Sequence, residues 1–337
     1  MLALYIFLLV LGLALLVKGA DWFVDGSAGI AGKCKISPLV IGLTVVAFGT
    51  SAPELCVSVV SAIKHSTEIA IGNIVGSNIC NILLILGVSA LVSRLPVAKN
   101  SLVLDLPVLL LASVLLVGLG IWGTAIEWWD GLVLLCLFFA YMTVLIVTAK
   151  RGAKKAPLPD VASASFEEKG EEKPKGKVKL WYEGMKQKGW FLAVLTLVGL
   201  GMVVGGGTLL VESAKYIASY FNVPERIVGL TVVAIGTSLP ELVTSVVAAA
   251  KKQTDIAVGN IIGSNIFNIL FIGGISSLVC PLPFVPDKNL VDALVALGAV
   301  VLLFVFALID RKRGLSKIAG AVMLASFVGY YIYLFLV

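Results

Sequence analysis

The stretch Ala47–Ser58 reads AFGTSAPELCVS, and Ala234–Ser245 repeats it as AIGTSLPELVTS. Each stretch lies inside a long apolar segment, yet it places a glycine, two hydroxyl residues, a proline and a glutamate within six consecutive positions. Proline lacks a backbone N–H and so leaves a helix carbonyl one turn earlier without its partner. A carboxylate in apolar surroundings is costly unless something compensates it. The pattern therefore predicts an interrupted helix with a functional acid, present twice.

The two stretches belong to a longer internal repeat. A shift of 187 residues aligns Gly42–Leu83 with Gly229–Leu270 without a gap, and 30 of the 42 positions are identical. The same register aligns three pairs outside this core: Asp25 with Glu212, Pro96 with Pro283, and Asp105 with Asp292. Self-similarity at a fixed period over this length indicates a duplicated structural unit.

The composition is that of a membrane protein. Of the 337 residues 59% are hydrophobic and only 14% are charged, and the mean hydropathy is +1.04. The apolar runs are continuous and of membrane-spanning length, which favours a helical bundle over a β-barrel. The first run has no basic residue before it and is predicted as a span, not a cleaved signal. The ten predicted spans are 2–20, 38–63, 69–92, 101–121, 129–149, 190–216, 227–250, 256–280, 290–309 and 318–336.

One polar region, residues 150–189, separates the fifth span from the sixth. It holds 11 of the 26 Lys and Arg residues and has the composition of a solvated linker. Outside it, ten basic residues between spans fall on the linker's side of the membrane and four on the other. Since basic residues favour the cytoplasmic side, the linker is predicted to be cytoplasmic and both termini to be outside the cell membrane.

Five spans per unit is an odd number, so the second unit must cross the membrane in the opposite direction. The predicted fold class is an all-α polytopic membrane protein with ten transmembrane helices in two inverted five-helix repeats. The predicted parts are a first repeat at 1–149 with its most similar part at 38–92, the linker at 150–189, and a second repeat at 190–337 with its most similar part at 227–280. Inverted repeats are typical of secondary transporters, whose binding site lies near the midplane between the halves.

The first polar cluster of each repeat combines hydroxyl and carboxylate oxygens at the predicted helix break. It comprises Thr50, Ser51 and Glu54 in the first repeat and Thr237, Ser238 and Glu241 in the second. Carbonyls freed at the break would add further oxygen ligands, a set that suits sodium or calcium. The inverted symmetry brings Glu54 and Glu241 face to face, where one calcium ion or two sodium ions balance their charge. Competition for a shared site is what an exchanger needs.

The second cluster supplies amides, hydroxyls and small residues. Ser77 and Asn81 are four positions apart on one helix face, and Ser264 and Asn268 repeat this spacing. Such residues bind ligands or make hydrogen bonds between membrane helices, and the spacing alone leaves both open. Asn73 and Asn260 lie one turn earlier on the same face, whereas Asn78 and Asn265 are predicted to point elsewhere. Gly72 with Gly76, and Gly259 with Gly263, predict close helix contacts.

The remaining polar residues predict structural roles. Near span ends, Asp25, Glu212, Asp105 and Asp292 suit pairing between helices or at the membrane interface. The five cysteines form no CxxC motif or Cys/His cluster and are predicted as buried apolar residues. The only histidine, His65, falls between spans and is predicted as a solvated loop residue.

These motifs resemble the two α-repeats of the calcium/cation antiporter superfamily. The resemblance rests on GTSAPEL with GNIVGSNICNI and on GTSLPEL with GNIIGSNIFNI, covers all ten predicted spans, and is strongest to prokaryotic sodium/calcium exchangers. It implies alternating access, with sodium entry driving calcium extrusion. It also implies ion coordination by Glu54 and Glu241, by the hydroxyls of Thr50, Ser51, Thr237, Ser238, Ser77 and Ser264, and by the carbonyls of Ala47 and Ala234, with Asn81 and Asn268 lining the centre.

The chain departs from some relatives in one respect. Potassium-dependent exchangers carry an aspartate where this chain has Asn268, which argues against potassium co-transport. The expected partners are the lipid bilayer, calcium and sodium, with no cofactor and no nucleic acid, and a monomer suffices for a pseudo-symmetric fold. The nearest rival function is proton/calcium exchange by the same superfamily. A calcium channel is a less favoured alternative, because a channel does not need an inverted repeat with paired helix breaks. An intramembrane enzyme is also disfavoured, because it would need a nucleophile–base pair.

Overall fold

The computed structural model describes residues 1–33, 49, 51–153, 188–250, 252, 254–310 and 314–336. Helices dominate this part of the chain, as the predicted all-α class requires. The elements before the linker are α1 (Leu2–Lys33), α2 (Ala52–Ile63), α3 (Thr67–Ile79), π1 (Cys80–Leu86), α4 (Gly87–Val92), β1 (Leu95–Pro96), π2 (Ser101–Asp105), α5 (Leu106–Gly123), β2 (Ala125–Ile126) and α6 (Trp128–Ala153).

The second part of the chain follows the same order. Its elements are α7 (Gly189–Phe221), α8 (Glu225–Val228), π3 (Gly229–Val233), α9 (Ala234–Thr237), α10 (Leu239–Ala250), α11 (Thr254–Ile266), π4 (Phe267–Ile272), α12 (Gly273–Val279), β3 (Leu282–Pro283), α13 (Pro286–Ile309), β4 (Gly314–Leu315) and α14 (Lys317–Leu336). Each repeat thus has a π-helical segment at the same place in its third span, because Cys80 and Phe267 are equivalent positions.

Eight helices within the described ranges are long and apolar enough to cross a membrane. The pair Glu225–Thr237 and Leu239–Ala250 makes a ninth if it is counted as one bent span. These cover every predicted span except 38–63, of which α2 is the described helical part. The chain is therefore a multi-pass membrane protein, while the total of ten spans and the side of the termini stay predictions.

Glycines bring α1 and α7 into direct backbone contact. A Cβ atom added to Gly12 would lie 2.8 Å from the carbonyl oxygen of Gly206, and one added to Gly19 would lie 2.8 Å from that of Gly199. The residue number of the contact increases along α1, from Gly12 to Gly19, while it decreases along α7, from Gly206 to Gly199. The two helices are therefore antiparallel. The reverse distances, from Gly206 to Gly12 and from Gly199 to Gly19, are 2.7 and 2.8 Å. Since Gly12 matches Gly199 and Gly19 matches Gly206 in the repeat, the contact has local two-fold symmetry.

Two short antiparallel strand pairs join the halves. Leu95 and Pro96 of β1 pair with Leu315 and Gly314 of β4. In the second pair, β2 of the first half binds β3 of the second, with Ile126 opposite Leu282. Each pair takes one strand from either half, so the two repeats are linked at both places.

The spans Thr67–Val92 and Ala257–Val279 lie at the centre of the bundle. Within their apolar windows 83% and 78% of residues are buried, against at most 39% in the other spans. Gly72 and Gly76 let the first of these approach the second repeat, because added Cβ atoms would lie 2.8 Å from the carbonyl oxygens of Arg226 and Leu230. The close contact predicted from this glycine pair is confirmed. The contact predicted at Gly259 and Gly263 is not, because added Cβ atoms there would meet no atom of the described chain within 4 Å, and residues 39 and 43, which are equivalent to 226 and 230, lie outside the described ranges. The polar residues of the two spans are consequently enclosed by protein, not lipid.

The helix break predicted in the second repeat is present. The helix bends by 47° between Thr237 and Leu239, just before Pro240. Ser238 stands at the bend with φ −83° and ψ 6°, which is not helical geometry. In the first repeat α2 begins at Ala52 with Pro53 in its first turn and Ser51 at its N-cap. In both repeats a serine therefore stands immediately before a helix that has proline and the glutamate in its first turn, while the residues that would complete the break in the first repeat lie outside the described ranges.

Candidate ion-binding site

Two buried carboxylates occupy equivalent positions in the first turns of α2 and α10. Glu54 is 1% exposed and Glu241 is 0% exposed. The free N–H groups at a helix N-terminus carry partial positive charge, which favours an acid in the first turn. On α2 the buried face continues from Glu54 through Ser58 and Ser61, and on α10 from Glu241 to Ser245. Each break therefore directs a polar stripe into the interior.

The serines at the breaks cross between the repeats. Ser238 Oγ donates to Glu54 Oε1 at 3.0 Å, and Ser51 Oγ lies 3.2 Å from Glu241 Oε1. Each carboxylate thus receives a hydroxyl from the opposite repeat. The two bonds interchange when 187 is added to or subtracted from the residue numbers. The face-to-face arrangement expected from the inverted repeat is present at this pair.

Further hydroxyls surround the carboxylates. Ser51 Oγ also lies 3.2 Å from Ser264 Oγ, so one serine contacts groups on two elements of the second repeat. Thr237 Oγ1 lies 3.3 Å from the carbonyl oxygen of Ala234, which also accepts the N–H of Ser238 at 3.1 Å. The hydroxyl of Thr237 has one proton, which Asn73 Oδ1 at 3.2 Å can also accept. When the proton is donated to Asn73, one lone pair of the Ala234 carbonyl is free for an ion. Two predicted ligands, Ala47 and Thr50, lie outside the described residues.

Asn73 holds the site together and was not among the residues selected from sequence. Its amide nitrogen donates to the carbonyl of Glu54 at 3.2 Å and to Ser58 Oγ at 2.9 Å. Its amide oxygen accepts Thr237 Oγ1 at 3.2 Å and Ser77 Oγ at 3.5 Å. All four hydrogen-bonding positions of the amide are used. The sequence did contain a signal for this role. Asn73 lies one turn before Ser77 on the helix face that carries the predicted ligands.

The π-helical segments carry the central asparagines. Asn81 and Asn268 are the second residues of π1 and π4, and they are 0% and 1% exposed. Single turns of π-helix are frequent at functional sites. Among the described residues, neither the amide oxygen nor the amide nitrogen of Asn268 has a hydrogen-bond partner, and the oxygen of Asn81 has none. Buried amide oxygens without partners are suited to receive a cation.

One prediction about these asparagines was wrong. Asn265 was expected to point away from the site, but its amide oxygen accepts a hydrogen bond from Asn81 at 3.1 Å. Asn265 follows Ser264 on the α-helix α11 and so lies about 100° round the helix from it. That offset still lets the Asn265 amide reach Asn81 of the other repeat. Its counterpart Asn78 does point elsewhere, since its amide nitrogen donates to the carbonyl of Ile74 at 2.7 Å.

Neutral oxygens outnumber charged ones at the site. In the described ranges no three His, Cys, Asp or Glu side chains converge as a metal cluster would require. The available ligands are therefore two carboxylates with hydroxyl and amide oxygens, of which Glu54 Oε2 has no hydrogen-bond partner in the described part of the chain. Hard oxygen ligands of this kind match calcium and sodium. Soft transition metals are disfavoured there.

The acids near the span ends form structural pairs, as predicted. Tyr141 donates to Asp105 at 3.0 Å, and at the equivalent place Tyr330 donates to Asp292 at 2.8 Å. Arg226 forms an ion pair with Asp292.

A further ion pair joins Lys64 and Glu212. Asp25 is half-buried on α1. His65 is exposed as predicted. The prediction of buried cysteines is confirmed for Cys80 and wrong for Cys136, which is exposed. Cys56 and Cys280 are half-buried, and Cys34 lies outside the described residues.

The chain is similar in sequence and fold to known proteins. The family model described as sodium/calcium exchanger protein matches residues 4–147 and 191–336. The putative antiporter CaxA of Alkalimonas amylolytica is 36% identical over 336 residues, covering 99% of both chains. The sodium/calcium exchanger MaX1 of Methanosarcina acetivorans is 33% identical, covering 97% of both. A structure of the sodium-calcium exchanger NCX_Mj soaked with Na⁺ and Sr²⁺ has 34% identity and a TM-score of 0.62, over 98% of this chain and 99% of that one.

Proposed function

Since the chain belongs to the sodium/calcium exchanger family of cation antiporters, we propose that it exchanges sodium for calcium by alternating access. Both ions bind in turn at a midplane site between the two repeats. The transported ions are calcium and sodium, and no enzymatic step is involved. Relatives named as antiporter and as sodium/calcium exchanger over nearly the whole chain support this assignment.

The observation that carries the proposal is the reciprocal pairing of Ser238 with Glu54 and of Ser51 with Glu241. Two carboxylates buried without a cation would be strongly unfavourable if both were ionised. Each is instead held by the other repeat in a pocket of neutral oxygens. One calcium ion or two sodium ions supply the missing positive charge, so the two ions compete for the same ligands.

The proposed ion ligands come equally from both repeats. They are the carboxylates of Glu54 and Glu241, the hydroxyls of Thr50, Ser51, Ser77, Thr237, Ser238 and Ser264, the amide oxygens of Asn81 and Asn268, and the carbonyls of Ala47 and Ala234. The unpartnered oxygens of Asn81, Asn268 and Glu54 Oε2 support the central members of this set. The N-terminal dipoles of α2 and α10 favour negative charge on the carboxylates without filling their coordination positions.

The pseudo-symmetry supports alternating access. If a two-fold axis relates the repeats, each repeat can adopt the conformation of the other, and the site then opens to the opposite side. The antiparallel glycine contact between α1 and α7 supports such an axis, because the 187-residue shift maps the contacting glycines of α1 onto those of α7. The proposed organisation is a repeat at 1–149, a cytoplasmic linker at 150–189 and a repeat at 190–337, acting as a monomer in the cell membrane.

A flux assay tests the function directly. Purified protein is reconstituted into vesicles loaded with sodium, which are then diluted into sodium-free medium containing labelled calcium. We expect calcium uptake that depends on the outward sodium gradient and ceases when sodium is equal on both sides. A pH gradient imposed without sodium should drive little uptake.

Other outcomes identify other functions. Uptake that follows a pH gradient and ignores sodium would show a proton/calcium exchanger and refute the proposal. Calcium flux down its own gradient with neither sodium nor a pH gradient would indicate a channel, which would also refute it.

A further inference from the structure

The only histidine of the chain contacts a cysteine from the other repeat. His65 Nδ1 and Cys280 Sγ are 3.6 Å apart. His65 lies in the turn between α2 and α3, and Cys280 follows the last residue of α12. The imidazole is exposed and the thiol is half-buried, so both groups are accessible from the same end of the molecule. The pair is separate from the site of Glu54 and Glu241.

The separation fits a tetrahedral metal ion. A zinc ion bound at about 2.3 Å to sulfur and about 2.0 Å to nitrogen holds these two atoms about 3.5 Å apart. The observed separation of 3.6 Å therefore needs almost no adjustment. Thiolate and imidazole are the ligands that Zn²⁺ and Cd²⁺ prefer, whereas calcium and sodium prefer oxygen. The pair thus selects a different class of ion from the central site.

The fold does not require these two residue types. His65 has φ 54°, and its equivalent in the second repeat, Lys252, has φ 60°, so lysine accepts the same left-handed turn. Cys280 has φ −156° and ψ 135°, and its equivalent Ser93 has φ −148° and ψ 143°. Lys252 and Ser93 thus adopt the same backbone conformations at the equivalent positions of the other repeat. The metal-binding side chains occur together at one of the two equivalent places.

We propose that His65 and Cys280 form a binding site for a thiophilic divalent metal ion such as Zn²⁺ or Cd²⁺. The Cys280 thiol releases its proton on binding, His65 coordinates through Nδ1 and keeps its proton on Nε2, and water completes the tetrahedron. The neighbouring charge of Lys64 is compensated by its ion pair with Glu212. With only two protein ligands, the site binds more weakly than a structural zinc site.

The bound metal would connect the two repeats at this end of the molecule. His65 is joined to α2, which carries Glu54, and Cys280 follows the span that carries Asn268. A metal bridge fixes their separation and so opposes movement of one repeat relative to the other. Zn²⁺ should therefore inhibit exchange by holding one conformation. This inhibitory effect rests on the proposed function, whereas metal binding does not.

Cadmium titration of the purified full-length protein tests the site. Cd²⁺ bound to a thiolate absorbs in the ultraviolet, and we expect a saturable signal that disappears in Cys280→Ser. His65→Asn should weaken Cd²⁺ binding by at least the roughly 10-fold that loss of an outer-shell partner costs. Asparagine tolerates the left-handed turn, so this variant should fold. Cys136→Ser, which removes an exposed cysteine elsewhere, is the matched control and should leave the Cys280 signal unchanged.

Two results would overturn the site: an unchanged signal in Cys280→Ser, or unchanged affinity in His65→Asn. Protection of Cys280 from maleimide by Zn²⁺, followed by mass spectrometry, gives a second readout at the same residue. In vesicles, Zn²⁺ should inhibit calcium uptake by the unaltered protein and not by Cys280→Ser. If the purified protein binds Cd²⁺ but transports no calcium in metal-free medium, the proposed function is refuted while the proposed metal site is supported. Metal binding with undiminished transport would instead overturn the inhibitory bridge.

Discussion

Ser238, in the second repeat, donates a hydrogen bond to Glu54, in the first, at 3.0 Å. The reverse pair, Ser51 with Glu241, is 3.2 Å apart. Because each serine stands at a helix break, a change in either break changes the surroundings of the carboxylate in the other repeat. The two halves of the candidate site are therefore coupled by direct contact. This relationship makes the effects of substitutions in the two repeats comparable.

Neutralising either glutamate should abolish exchange. Glu54→Gln and Glu241→Gln keep the size of the side chain and remove one negative charge, so the remaining charge no longer balances a calcium ion. We expect no sodium-driven calcium uptake from either variant in reconstituted vesicles, with normal insertion and yield. Glu127→Gln, which changes an acid just before α6, is the control and should transport normally. Near-normal uptake by both site variants would refute the assignment.

Removing either break serine should weaken calcium binding by a similar factor. A hydrogen bond to a charged group contributes about 1.5–3 kcal/mol, which corresponds to roughly tenfold or more in affinity. Ser51→Ala and Ser238→Ala should therefore each raise the calcium concentration for half-maximal uptake by about that factor. Ser113→Ala is the control, because its hydroxyl donates to Leu109 of its own helix at 2.8 Å. A large effect in one variant with none in the other would contradict the equivalence of the repeats.

The duplication made the main features of the fold and site predictable. A proline and a glutamate at the same distance in both copies predicted the breaks, and the bend before Pro240 agrees. The odd number of predicted spans then predicted that Glu54 and Glu241 face each other. Neither inference needed knowledge of individual contacts, because symmetry and the cost of burying a carboxylate were sufficient. The pairing of acids at span ends followed from the same cost.

The details that depend on packing could not be predicted. The side of α11 that meets Asn81 depends on how the two central spans pack, so the contact of Asn81 with Asn265 was missed. The role of Asn73 depends on how closely α3 approaches α9, which the repeat alone does not specify. The proximity of His65 to Cys280 likewise arises from the meeting of two loops that are 215 positions apart. No local pattern records such a contact.

Asn73 should matter more than Asn78, the buried asparagine of the same helix that points away from the site. Asn73→Ala leaves hydrogen-bonding groups of Glu54, Ser58 and Thr237 without this partner, and each unsatisfied buried group costs about 1–3 kcal/mol. We expect a lower unfolding temperature and also a higher calcium concentration for half-maximal uptake, since two proposed ligands lose their support. Asn78→Ala is the matched control, because Asn78 is a buried asparagine on the same helix whose amide nitrogen donates to the carbonyl of Ile74 of that helix at 2.7 Å.

A purely structural role for Asn73 would lower the unfolding temperature and leave the calcium dependence of the folded protein unchanged. That result would contradict its role as a positioning residue. Equal effects of Asn73→Ala and Asn78→Ala on the calcium dependence would contradict it as well.

The contact between α1 and α7 can be tested with two neighbouring glycines. Gly206 faces α1, and a Cβ atom there would lie 2.7 Å from the carbonyl oxygen of Gly12, too close for the helices to keep their separation. Overpacking of this kind costs about 1–3 kcal/mol, so Gly206→Ala should lower the unfolding temperature in detergent.

Gly205 is the matched control, because a Cβ atom there would meet no atom of the described chain within 4 Å. Alanine is about 1 kcal/mol more favourable than glycine inside a helix, so Gly205→Ala should be neutral or stabilising. Gly206→Ala should also slow exchange more than it reduces calcium affinity, because neither α1 nor α7 supplies a proposed ligand. If the two variants have the same stability and exchange rate, then the close approach of α1 and α7 does not contribute to either property.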